Sequence, residues 1–131
     1  MLTSILTVLL GILSSPANAG EHSISGGFGH YYGGFGAAYT YSPVVGLGIQ
    51  AGYGTLGAGM GVRWEPTWLS GGYAQSGLAR VGGGYHPNMV VGAKWHPEDT
   101  PNWFLDVNGG VAVSLTGSWW LVWDVGVGIE F

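Results

Sequence analysis

Apolar and polar positions alternate along most of this chain, most strictly at its end. Over residues 119–131 the odd positions, Trp119, Leu121, Trp123, Val125, Val127, Ile129 and Phe131, are all apolar. The even positions from 124 onward are Asp124, Gly126, Gly128 and Glu130. A period of two over that length predicts a β-strand whose two faces meet different surroundings. The same period recurs upstream, with no helical period between. Phe28, His30 and Tyr32 share one face, and Phe35, Ala37, Tyr39 and Tyr41 form the matching face of a second strand. The parity switches at Gly33-Gly34, as a two-residue turn requires. Ser42-Pro43 ends that strand, and Val45, Leu47, Ile49, Ala51 and Tyr53 make the next apolar face. Past Gly54-Thr55 the apolar parity passes to Leu56, Ala58, Met60, Val62 and Trp64, with Tyr53 and Leu56 closing the turn.

Glu65-Pro66-Thr67 interrupts the pattern, and residues 68–85 alternate poorly. If Ala79, Val81, Gly83 and Tyr85 face outward, then Arg80, Gly82 and Gly84 face inward, but Gln75 and Leu78 fall on the wrong faces. A bulge or loop near residues 72–77 is the expected repair. His86-Pro87-Asn88 is expected to turn the chain, followed by an apolar face of Met89, Val91, Ala93 and Trp95 and a polar loop over residues 96–102. From Trp103 to Leu115 one parity persists, so Asn108-Gly109 reads as strand interior despite its turn-like sequence. Gly117-Ser118 leads into the final strand.

This pattern predicts an all-β fold, a closed antiparallel up-and-down transmembrane β-barrel of eight strands with both chain ends on one side. Parity places Arg63, Arg80, Lys94, Asp106, Asp124 and Glu130 in the lumen, where a charged network is expected. Glu21, Glu65, Glu98 and Asp99 fall in turns or at strand ends. No charge is then left on the lipid face, where an Arg or Lys at the midplane costs about 2–4 kcal/mol. Many glycines, Gly27, Gly52, Gly59, Gly126 and Gly128 among them, take the inward parity and make room for lumen side chains such as Tyr31 and Gln50. Outward Tyr32, Phe35, Tyr53, Tyr85 and Trp119 gather toward one membrane interface. Tyr39, Tyr41, Trp64, Trp95, Trp103 and Phe131 gather toward the other. Two aromatic girdles are what amphipathic rings favour.

Composition sharpens this picture. Charged residues make up only 8% of the chain, against about a quarter in ordinary globular domains. The three basic residues are too few to neutralise a run of phosphates, so nucleic acid is not expected as a partner. Without cysteine there is neither a disulfide framework nor a thiolate metal site. Residues 5–13 form an apolar run, followed by Pro16 and Ala17-Asn18-Ala19. Small residues at the first and third places of that tripeptide suit a signal-peptide cleavage site, although Met1 to Ser4 carry no positive charge. The expected division is a signal peptide over residues 1–19 and a barrel over residues 20–131.

A terminal Phe131 preceded by apolar Ile129 and Val127 resembles the carboxy-terminal signature of bacterial outer-membrane β-barrels. Over most of its length the chain resembles the OmpA-like transmembrane domain and OmpX-like barrels. That resemblance implies residence in the cell outer membrane, the lipid bilayer as surroundings, and the barrel-assembly machinery as a partner during biogenesis. It implies a structural role, or at most a narrow pore with its lumen plugged. Very short turns at the end away from the chain termini argue against an adhesin or receptor.

Other readings fare less well. His22, His30, His86 and His96 show no i, i+2 or i, i+4 pairing, so neither a metal nor another cofactor is expected. Lipid A-modifying hydrolases of similar size place a His and a Ser two apart on a lipid-facing strand. No His-x-Ser occurs here, and the neighbouring His22 and Ser23 point to opposite faces, so no catalytic residues are assigned and an enzyme stands third. The main alternative is a glycine-rich secreted protein that self-assembles through exposed strands.

Overall fold

The structure is a computed structural model that describes residues 21–100 and 102–131; the expected signal peptide lies outside the described residues. These residues form eight strands: β1 (Glu21–Gly29), β2 (Gly34–Val44), β3 (Leu47–Gly54), β4 (Gly57–Trp64), β5 (Gly72–Val81), β6 (Gly84–Trp95), β7 (Trp103–Val113) and β8 (Trp119–Glu130). Each pairs antiparallel with its neighbour in sequence, and β1 pairs with β8, closing the barrel. At the seam the His22 amide donates to the Phe131 carbonyl at 2.9 Å, and the Phe131 amide donates to the His22 carbonyl at 2.8 Å. The first and last described residues therefore share one end of the barrel, here the terminal end, and the opposite end is the distal end.

Alternation sets which side chains line the lumen. In β8, Val122, Asp124, Gly126 and Gly128 are buried while Leu121, Trp123, Val125 and Val127 are exposed. The Asn108-Gly109 pair lies inside β7, as the unbroken parity predicts, and Asn108 faces the lumen opposite Asp124.

Four expectations are corrected by the register. Phe28 pairs with Phe35 and Gly29 with Gly34, so the first turn spans residues 30–33 rather than Gly33-Gly34 alone. Its residues are not extended, strand parity does not carry through them, and Tyr31 and Tyr32 fold back into the lumen. The turn between β5 and β6 is Gly82-Gly83, with Val81 opposite Gly84, and His86-Pro87-Asn88 is strand rather than turn. Both glycines have positive φ, 68° and 96°, which suits a two-residue hairpin turn. This register runs β5 unbroken from Gly72, with Tyr73, Gln75 and Ala79 buried inside and Leu78 and Arg80 outside. The irregularity lies instead in β2, between Tyr41 and Val44, where Pro43 offers no amide hydrogen to the ladder. The β3–β4 turn also shifts, since Tyr53 pairs with Ala58 and not with Leu56.

Candidate functional site

Among the described residues polar chemistry is concentrated in the lumen, which is built in two halves. Toward the terminal end, Arg63 of β4 is 2% exposed and is held on several sides. Its Nη1 donates to Asp106 Oδ2 at 3.0 Å, its Nε to Gln75 Oε1 at 2.8 Å and its Nη2 to Gln50 Oε1 at 3.3 Å. The guanidinium also lies 3.8 Å from the centre of the Tyr73 ring. Tyr73 in turn donates its hydroxyl to Asp106 Oδ1 and accepts from Asn108 Nδ2 at 3.0 Å. A buried ion pair persists only when its remaining donors and acceptors are satisfied, and strands β3, β5 and β7 supply those partners here.

A second ionic group sits nearer the rim. Lys94 Nζ lies 2.8 Å from Glu130 Oε1, and His96 Nε2 lies 3.1 Å from Glu130 Oε2. Glu65, expected in a turn, reaches in from the β4–β5 connection and links the two groups, 3.7 Å from Arg63 and 3.5 Å from Lys94. Ser42, Glu65, Lys94, His96 and Glu130 help to line a polar cavity of about 490 Å³ at this end.

Toward the distal end, tyrosines replace ions. The Tyr31 amide donates to Asp124 Oδ1 at 2.7 Å and its hydroxyl to Asn88 Oδ1, while the Tyr32 hydroxyl donates to Ser25 Oγ at 2.9 Å. Tyr31 packs with Val90, Ala112 and Val122 into an apolar cluster, flanked by Trp120. Glycines seat these rings. A side chain at Gly27 would meet Tyr32 Cε2 at 2.7 Å, one at Gly59 would meet Tyr31 Cδ1 at 3.2 Å, and one at Gly92 would meet the Tyr73 ring at 2.6 Å. The distal half is thus filled by the first turn folding inward.

Of the six charges assigned to the lumen, Arg63, Lys94, Asp106, Asp124 and Glu130 line it. Arg80 does not: it is exposed on the outer wall near the Gly82-Gly83 turn, its guanidinium 5.4 Å from the Tyr85 ring centre. The reason is the β5 register, in which Ala79 takes the inward place. Asp124 stands apart from the arginine, satisfied on one oxygen by the Tyr31 amide. Tyr73, Gln75, Asn88 and Asn108 belong to this lumen and were absent from the expected set. The signal for the first two was the Gly82-Gly83-Gly84 run, which fixes their parity when read as the turn.

Among the aromatics, Phe35, Tyr53, Tyr85 and Trp119 are exposed at the distal end, and Trp64, Trp95, Trp103 and Phe131 at the terminal end. Tyr41 is half-buried and stacks on His22 with ring centres 4.9 Å apart. Tyr32 leaves the outer set, being 3% exposed inside the barrel. Val127, Ile129 and Phe131 all face outward.

The histidines separate by end. His22 Nδ1 bonds the Tyr39 hydroxyl and His96 is held by Glu130, both toward the terminal end. His30, in the first turn, and His86, on β6, meet at the distal mouth with ring centres 6.4 Å apart. Burial, and secondarily the neighbouring His86, lower the His30 pKa below its ordinary 6.5. Among the described residues no group of three or more His, Cys, Asp or Glu side chains is placed to hold a metal ion. No known protein family, curated protein or solved structure matches the chain.

Proposed function

We propose that the protein is an integral outer-membrane β-barrel with a structural role, its lumen plugged by the Arg63–Asp106 and Lys94–Glu130 groups and the Tyr31-Tyr32 turn. The observation that carries this reading is the outer wall. Ile49, Met60, Val62, Met89, Val91, Val107, Leu121 and Val127 are all exposed there, around a closed barrel. Water-soluble monomers rarely expose a continuous apolar surface of that kind. Among the described residues Arg80 is the one charged side chain on an outward strand face, and it sits beside the turn at the rim. Long cationic side chains at such a level reach the headgroups, so its position is compatible with lipid around the belt.

Closure satisfies the backbone groups of every strand edge, which a hydrocarbon surrounding demands. Strands of 8 to 12 residues suit a tilted span across a belt about 25 Å tall. Exposed aromatics at both ends flank that belt. The rival reading, self-assembly through exposed strands, loses its main support because the closed barrel leaves no free edge to extend. Val127, Ile129 and Phe131 face outward, which leaves them accessible to an assembly machinery.

Folding into detergent micelles or lipid vesicles tests the proposal. A β-rich, protease-resistant species whose gel migration changes on boiling is expected, with no steady conductance in a planar bilayer. Phe131→Ala, which keeps the two backbone hydrogen bonds to His22, is expected to lower outer-membrane insertion in cells while leaving folding in detergent nearly unchanged. A chain that stays disordered in lipid, or that folds as a monomer in plain buffer, overturns the reading.

A further inference from the structure

We propose that His30 and His86 form a two-imidazole site for a divalent transition-metal ion, of the copper, nickel or zinc kind, at the distal mouth of the lumen. The two residues lie far apart in sequence, one in the first turn and one on β6, and the barrel brings their rings to 6.4 Å between centres. Two imidazoles sharing one ion place each nitrogen about 2.0–2.1 Å from it, which puts the ring centres roughly 5–6 Å apart. The observed 6.4 Å lies just outside that range, so metal binding requires the two rings to turn toward each other.

The second observation is unmet hydrogen bonding. His30 Nε2 and His86 Nδ1 are both buried and find no hydrogen-bond partner among the described residues. A buried polar atom without a partner is uncommon, and a pair of them on neighbouring rings calls for a shared occupant. The two other histidines already have partners, His22 in Tyr39 and His96 in Glu130.

The surroundings hold the pair in place. Trp120 packs edge-on against His86 at 4.7 Å between ring centres, and Tyr31 packs edge-on against His30 at 6.2 Å. The His30 amide donates to the Trp123 carbonyl at 3.3 Å, and its carbonyl accepts from the Gly33 amide at 3.2 Å. Asp124, opposite Gly29 in the register, supplies negative charge just inside the mouth, with Oδ2 buried and unpaired. Cation charge is offset there without a third direct ligand, which leaves coordination positions open to water or to a small incoming ligand. Imidazole donors favour copper, nickel and zinc, and copper binds most tightly among them.

The test uses copper(II) sulfate on untagged protein folded in detergent, in a H22Q/H96Q background so that the terminal-end histidines do not contribute. One copper per chain is expected, with quenching of Trp120 fluorescence and nitrogen couplings from two imidazoles in the electron paramagnetic resonance spectrum. His30→Gln and His86→Gln, each verified as folded by circular dichroism and heat-modifiable migration, are expected to weaken binding at least tenfold. Retained affinity in either variant, or a spectrum lacking two-imidazole coupling in the parent, overturns the proposal. The spectrum decides the matter even if a variant fails to fold.

Discussion

Gly126 is a position where a single methyl group decides the fit. A Cβ there would meet the Tyr32 hydroxyl and come within 2.5 Å of its Cζ, whereas one at outward Gly26 would find nothing closer than 3.8 Å. Gly126→Ala is therefore expected to destabilise the barrel by about 1–3 kcal/mol and Gly26→Ala to be close to neutral, as read from urea unfolding in detergent. The buried ion pair behaves differently, because its loss strands a charge. Arg63→Met leaves Asp106 without its cation and is expected to cost about 3–5 kcal/mol, most of which returns when Asp106→Leu is added. His30 gives a pH dependence of known sign. Its folded-state pKa is depressed, so below 6.5 the unfolded chain takes up the proton first. The stabilisation is complete above 6.5 and is lost as pH falls through the lowered folded value. His30→Gln is expected to flatten that loss when unfolding is followed across pH in chelator. At this scale the charged lumen was legible because alternation alone assigns Arg63, Lys94, Asp106, Asp124 and Glu130. Tyr32 was not, because a residue inside a turn has no strand parity to inherit.

The elements were legible where outward side chains are large and inward ones small or charged, as in β3, β4, β7 and β8. Strand β5 reverses that contrast. It sends Ala74 and Ser76 outward and Tyr73 and Gln75 inward, so hydropathy carries no parity signal and the glycines of the turn are the better guide. Reading Pro87 as punctuation moved the turn by several residues and carried Arg80 to the wrong face. Hairpin geometry supplies a check: Gly82 and Gly83 both hold positive φ. Replacing them with Asn-Gly is expected to leave stability nearly unchanged, while Val-Val is expected to cost about 1–3 kcal/mol for each strained residue.

Across the whole molecule, charge placement on the wall is where the proposed membrane setting is tested. Val107 is 47% exposed near the middle of β7, and Val107→Arg is expected to cost about 2–4 kcal/mol in vesicles. Arg80→Leu, at the rim, is expected to change vesicle stability by well under that amount, and the contrast should vanish if the wall does not meet hydrocarbon. The seam between β1 and β8 has a different consequence. His22 and Phe131 are already joined by two backbone hydrogen bonds, so Glu21 and Phe131 could be joined by a short linker and the polypeptide reopened at Gly82-Gly83 without altering a single strand pair. Such a circular permutant would keep the ring while moving its aromatic terminus to an internal position. It would separate what the ring needs in order to stand from what the cell needs in order to deliver it.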